Sequence, residues 1–355
     1  MLIGKKYFVS ADISTCFPSI YTHSLCWAMV GKNTAKANRK PGVWFNDIDR
    51  ACQQMRNGET HGLMIGPHAS NLLAELILTK VDKKLLDMGY QFIRNIDDYT
   101  CVTETNEMAQ AFITDLAREL RVYDLSLNHK KTKVEKLPMV AVENWVRVLN
   151  GTPTIGKYGV VDYKTAQAYL DTAVKLMKDN GGNAATLNYA IKVLSKSKLS
   201  QNAKQYCVRT VMHLAIIYPY LVPLLDQHIF IAFNAKFDDI KSFSQTLFYD
   251  SEKHGNCEGM SFALYFAVRY GFKVKYDLAN IISQDNCILK TMALIYARKN
   301  SITSDLTTLE KDAIRLKTQE FDENWLFVYE CLDSSQLSGD WKDIKNHNIS
   351  FLRPI

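Results

Sequence analysis

The chain has 355 residues, 47% hydrophobic and 23% charged, with 43 Lys and Arg against 37 Asp and Glu for a net charge of +6. That make-up belongs to a globular protein with room for two domains, and it excludes a disordered polyampholyte, a disulfide-stapled miniprotein and a collagen-like repeat. No apolar run reaches the ~18 residues of a membrane span. The opening MLIGKKYFVSADIS lacks the h-region and cleavage site of a signal peptide, so the expected compartment is the cytoplasm.

The first strand is expected at 6–14, KYFVSADIS, followed by a helix over 22–31, THSLCWAMVG. A second helix, 44–58, puts Phe45, Ile48, Ala51, Cys52 and Met55 on one face and closes at Gly58. A glycine-rich turn leads into an amphipathic helix over 70–89, with Ser70 near its start. Strand 90–96, an Asp97–Asp98 turn, strand 99–104 and helix 106–125, with Asn106 as its expected cap, come next. Short strands at 131–138 and 145–151 complete this half, an α+β arrangement with helices on one face of a small antiparallel sheet. From 162 the period is helical: 162–179, 183–198, 200–217, 219–233, 238–253, 256–270, 274–282, 284–299 and 305–318, then a less regular tail from Asn324. Units of roughly 35–40 residues share a helix–turn–helix form, which predicts an all-α, HEAT-like helical-repeat domain. The expected domains are 1–150 and 162–355, joined by a linker over 151–161.

The eight cysteines are scattered without a CxxC pair, which reads as reduced, mostly buried thiols. Charge does not locate a binding face: 19 Lys and Arg stand against 16 Asp and Glu up to residue 150, and 24 against 21 after it. Two local clusters, Lys32, Lys36, Arg39 and Lys40, and Lys130, Lys131, Lys133 and Lys136, read equally as solvated surface or phosphate contacts.

Four stretches carry candidate chemistry. Asp12 ends the first strand in FVSADISTCFPSIY, with Phe17 five residues on; alone it reads as a turn or helix cap. In HGLMIGPHAS (61–70), Gly62 and Gly66 flank an apolar triplet before a helix; glycine permits close backbone approach to a ligand, but an ordinary loop needs it too. QFIRNIDDYTCV (91–102) places two like charges where a tight hairpin would take Asn-Gly or Asp-Gly. DLSLNHKKTKV (124–134) sets Lys131 and Thr132 behind a short apolar run, in isolation a solvated surface.

Their order is more specific than any one of them. A strand-borne Asp with an aromatic at +5, then G-x-x-x-G-x-x-x-S before a helix, then apolar-Asp-Asp-apolar, then L-x-L-N-x-x-K-T resembles motifs A to D of the reverse transcriptase palm. The likeness covers roughly residues 4–150. It implies nucleotidyl transfer from dNTPs, with two Mg²⁺, for which Mn²⁺ can substitute, stabilising the attacking and leaving oxygens. On that resemblance Asp12 and Asp97 ligate both metals, Asp98 holds a less essential position, and the Ile13 carbonyl joins the triphosphate-side ion. Phe17 lies under the sugar and excludes a 2′-OH, Ile65 and Gly66 border the nucleotide, and Lys131 serves the pyrophosphate as a general acid. Asn95 departs from the usual Tyr or Phe beside the primer end, and Met64 stands where proline is common.

Within the family, "IGP…S…AE…L…VD", IYTHSL after the first aspartate, and a helical domain behind the palm resemble prokaryotic abortive-infection and defence enzymes of the AbiK/AbiA type. That likeness implies antiphage defence by a homo-oligomer with no membrane partner. It also implies untemplated, protein-primed DNA synthesis in which one of the eighteen tyrosines supplies the first hydroxyl. Two other readings stand beside it: RNA-templated cDNA synthesis as in retron-type enzymes, and a non-catalytic nucleic-acid-binding or assembly module. The last follows from the expectation that the family's fingers, which precede the first aspartate, are missing at the N-terminus.

Overall fold

A computed structural model describes residues 3–140, 142–152 and 159–353. The chain forms two compact units, Met1–Ala141 and Val142–Ile355.

The first unit runs β1 (Tyr7–Asp12), α1 (Cys16–Ser19), α2 (Thr22–Val30), α3 (Lys32–Ala37), α4 (Trp44–Gln54), α5 (His68–Asp87), β2 (Phe92–Asn95), β3 (Asp98–Thr103), α6 (Asn106–Arg121) and β4 (Lys133–Lys136). The four strands form one antiparallel sheet in the order β2-β3-β1-β4. Period-two alternation decides its faces. Val9 and Ala11 of β1 and Tyr99 and Cys101 of β3 are buried in one core with Ile77, Leu78 and Val81 of α5 and Phe112 and Leu116 of α6. The intervening residues Ser10, Asp12, Asp98 and Thr100 share the other face of the sheet. The cap of α6 is Thr105, one residue ahead of the expected Asn106; its hydroxyl accepts the Met108 N–H at 3.3 Å.

The second unit contains α7 (Asn144–Gly151), α8 (Tyr163–Asp179), α9 (Ala184–Ser195), α10 (Gln201–Ile217), α11 (Val222–Leu225), α12 (Phe237–Lys253), α13 (Cys257–Tyr270), α14 (Leu278–Ser283), α15 (Cys287–Lys299), α16 (Thr303–Gln319), α17 (Phe321–Cys331) and α18 (Gly339–Asn346). Local chemistry sets many of these starts: the side chains of Asp162, Asn183, Ser200, Asn256, Asp277 and Asn286 each accept a backbone N–H of the first turn. A π-helical turn, Asp226–Ile231, interrupts the helix expected over 219–233, and α17 and α18 add order to the tail expected to be irregular.

One expected strand is corrected. Residues 145–151 are helical because Trp145 and Leu149, one turn apart, both enter the core of the second unit. That burial outweighs the strand preference of Val146 and Val148. The segment therefore packs beyond the 150/151 boundary expected from sequence. Of the expected linker, residues 153–158 lie outside the described residues.

The eight cysteines are free thiols, five of them buried. Among the described residues no helix is long and apolar enough to cross a membrane.

Candidate active site

The register of β1 and β3 places Asp12 directly opposite Asp98 at the end of the sheet. Both line an open cleft of about 470 Å³ together with Asn95, Lys131, Ser10 and Thr100. Asp12 is 8% exposed and is held from two directions. Its Oδ2 accepts from Asn128 Nδ2 at 3.0 Å and its Oδ1 from Lys131 Nζ at 3.0 Å. Hydrogen bonding to Asp12, reinforced by the charges of Asp12, Asp98 and Asp97, raises the Lys131 pKa. Lys131 is two-thirds exposed, so this pair positions more than it stabilises.

Desolvation, then the charges of Asp97 and Asp12, raise the pKa of the exposed Asp98 from its ordinary value. The stability this group contributes is therefore full at low pH and is lost as pH rises through its folded-state pKa. At neutral pH the ionised carboxylate works against the fold. Asp98→Asn should raise the melting temperature at pH 7 in EDTA by about 2 °C, with no gain near pH 3, where both forms are neutral. An unchanged or lower value at pH 7 would contradict the like-charge argument.

Asp97 occupies the turn, half-buried, and its carbonyl accepts the Ile13 N–H at 3.2 Å. Burial, then the charges of Asp97 and, more weakly, Asp12, push the Cys16 thiol up to about 12. The turn is strained: Ile96 has φ +56°, and Thr15, three residues past Asp12, has φ +41°. Left-handed backbone at β-branched residues is uncommon and persists only where surroundings enforce it.

Arg94 supplies that enforcement at the turn. Its Nη1 donates to the Ile96 carbonyl at 2.9 Å. On a side chain 10% exposed, Nη1 and Nη2 also donate to Glu75 at 2.6 and 2.7 Å, and Nε and Nη2 to Asp82 at 2.7–3.1 Å. Glu75 and Asp82 stand seven residues apart on α5, two turns along one face. Asp82 also accepts the Tyr99 hydroxyl at 2.8 Å, and the hydrogen bond from Arg94 pulls Glu75 below its usual range.

Asn128 ties the lysine loop to β1. Its N–H donates to the Asp12 carbonyl at 2.8 Å, its carbonyl accepts from the Lys131 and Thr132 N–H groups, and its Oδ1 accepts the Lys130 N–H. Neither Asn128 nor Arg94 stood among the expected site residues. The Asn of L-x-L-N-x-x-K-T and the Arg three residues before Asp97 were the signals available.

The other expected residues, and Asp97 with them, are not among the residues that line the cleft. Ile13 is buried in the core of the first unit, and Phe17 is half-buried against that core. Ile65 is exposed, and Gly66 has φ +118°. The segments of Phe17 and of Ile65 and Gly66 meet through the backbone, because Gly62 N–H donates to the Ile20 carbonyl and Leu63 N–H to the Phe17 carbonyl, both at 2.8 Å. Gly62 has φ +95°, and a Cβ there would lie 3.1 Å from the Pro18 carbonyl oxygen and clash with the Arg56 side chain. Gly62→Ala should cost about 1–3 kcal/mol in stability, read by thermal melting; an unchanged melt would show the loop to be pliable.

A small antiparallel sheet carrying carboxylates on adjoining strand ends, an amine beside them and a glycine-bearing loop before a long helix is the arrangement of a nucleotidyl-transferring palm. The family model for reverse transcriptase (RNA-dependent DNA polymerase) matches residues 2–181, just over half of the 355, and the chain belongs to that family. No curated protein shows a significant match to it.

Reverse transcriptases in general use divalent metals. Among the described residues no three His, Cys, Asp or Glu side chains are arranged to hold a metal ion. The donor chemistry nevertheless fits such a cation. Asp12 and Asp98 are hard oxygen donors facing one another, the like charges raise Asp98, and the neighbouring cation is the exposed Lys131 ammonium.

Proposed function

We propose that this chain is a DNA polymerase of reverse-transcriptase type that adds dNTPs to a growing strand. The observation that carries the reading is the juxtaposition of Asp12 and Asp98 across β1 and β3, with Asp97 in the adjoining turn and Lys131 bonded to Asp12. Asp12 and Asp97, with Asp98 and the Ile13 carbonyl beside them, would hold Mg²⁺ or Mn²⁺. A divalent pair supplies charge stabilisation for the attacking and leaving oxygens when bound. The primer hydroxyl gives up its proton to water as its oxygen bonds to the α-phosphorus, the bond to the bridging α–β oxygen breaks, and pyrophosphate leaves. Lys131, kept protonated by its acidic neighbours, is placed to give that leaving group a proton. Phe17 is assigned to excluding a 2′-OH, Ile65 and Gly66 to bordering the nucleotide, and Asn95, a polar residue in the cleft, to the primer end.

The finer reading is an abortive-infection enzyme of the AbiK/AbiA type that acts in antiphage defence by untemplated, protein-primed synthesis. It is supported by the IYTHSL stretch after Asp12 and by a second unit in which α12, α13, α15 and α17 pack in series. We read that series as a HEAT-like stack that assembles subunits. The test is purified protein with Mg²⁺ or Mn²⁺ and labelled dNTPs, with and without RNA. Polymer without RNA, resistant to removal from the protein by denaturant, supports protein priming. Polymer only with RNA favours retron-like synthesis, and no polymer under either condition favours a non-catalytic module.

A further inference from the structure

The first basic cluster of the sequence is not used by the carboxylate cleft. It borders a second cleft of about 480 Å³ in the first unit, walled by α2 and α4 and edged by α3 and the following loop. The two clefts share no lining residue. At the base of this one lies Asp49, 7% exposed, which accepts from His23 Nδ1 and from Gln53 Nε2 at 2.8 Å. A carboxylate only accepts, so His23 carries its proton on Nδ1 and keeps Nε2 for another partner.

Aromatic and cationic groups surround that imidazole. Tyr21 and Trp27 line the wall with ring centroids 5.7 Å apart, edge to face. Lys36, Arg39 and Arg50 line the rim, and among the described residues none of the three has a carboxylate within 4.0 Å. Of the two acids in the lining, Asp49 is engaged by His23, and Asp47 accepts the Gly42 N–H at 3.2 Å. Three cations set against two carboxylates leave this lining a modest positive excess, and with the fixed imidazole and two aromatic rings around a space of this volume they match a phosphate ester carrying a flat heterocycle. Tyr21 already stacks on His61, with centroids 4.9 Å apart, and Lys32 Nζ lies 4.1 Å from the Trp27 centroid, so a base would share these rings with protein partners, while an apolar ligand would leave the cations unused.

We propose that this cleft is a second nucleotide site, separate from the carboxylate cleft, with Arg39, Arg50 and Lys36 on the phosphate and Tyr21 and Trp27 against the base. The ligand is a free nucleotide or the terminal nucleotide of a strand.

The experiment measures binding by the full chain in EDTA, which removes the divalent cations on which the carboxylate cleft would depend. Probes are deoxyadenosine monophosphate, deoxyadenosine, inorganic phosphate and a 5′-phosphorylated single-stranded oligonucleotide. The monophosphate should bind at least ~10-fold more tightly than either the nucleoside or inorganic phosphate. Arg39→Ala with Arg50→Ala should weaken it at least ~10-fold, with an unchanged melting curve, since both side chains are exposed. Asp98→Asn should leave it within about twofold. Oligonucleotide binding that outcompetes the monophosphate marks a strand terminus as the source; weaker binding marks the free nucleotide. The proposal is overturned if the monophosphate does not bind in EDTA, if inorganic phosphate binds equally well, or if Asp98→Asn abolishes binding and the arginine pair does not. No arm measures incorporation, so its failure is distinguishable from failure of the polymerase reading.

Discussion

Asp97→Ala should lower dNTP incorporation by at least ~10³-fold, about 4 kcal/mol of transition-state stabilisation. The variant is informative because the side chain has little structural work. Among the described residues its carboxylate accepts no hydrogen bond, and the contact that seats the turn, Ile13 N–H to the Asp97 carbonyl, belongs to the backbone and survives the substitution. Removing the charge also relieves the pressure it exerts on Cys16 and Asp98. The melting temperature should therefore hold or rise while activity collapses, which separates chemistry from folding. Equal incorporation by both proteins would sink the catalytic assignment.

Arg94→Ala is expected to act on fold and activity together. It strips two carboxylates of their shared partner and releases the Ile96 carbonyl at the tip of the Asp-Asp turn. Removing one member of a buried ion cluster costs about 3–5 kcal/mol. The lower end applies because Glu75 is 44% exposed, against 19% for Asp82. A loss of about 3 kcal/mol corresponds to roughly 10 °C in melting temperature. Arg94→Lys should recover little, because an ammonium cannot fork onto two carboxylates and a carbonyl at once. Residual incorporation at a temperature where the variant remains folded should still fall, since the turn loses its tether. Full activity per folded molecule would show the clamp to be structural only.

The lineaments legible in the sequence were the local ones. The apolar faces of α5 and α6 and the alternation of β1 and β3 are written in residues a few positions apart, and the structure has them within four residues of the expected bounds. The hairpin was legible for the same reason, but its turn is Ile96–Asp97, one residue earlier than expected, and Asp98 opens β3. Strand pairing is not local, so which aspartate faces Asp12 could not be read; only the register, Asp12 against Asp98, decides it. Glu75 and Asp82 were partly legible, since acids seven apart on a helix must share a face, but nothing nearby named Arg94 as their partner. The segment 145–151 failed because WVRVL alternates like a strand, and its helical state depends on a core built from residues far downstream.

Asn128 and Lys131 reach Asp12 across 116 and 119 positions of chain. Each closes a loop nearly as long as the first unit itself, and the entropy of such a closure is recovered only when the intervening strands and helices are in place. The pairing therefore needs a chain that runs at least from Asp12 to Lys131. A chain ending before Lys131 would carry Asp12, Asp97 and Asp98 yet lack the amine bonded to Asp12.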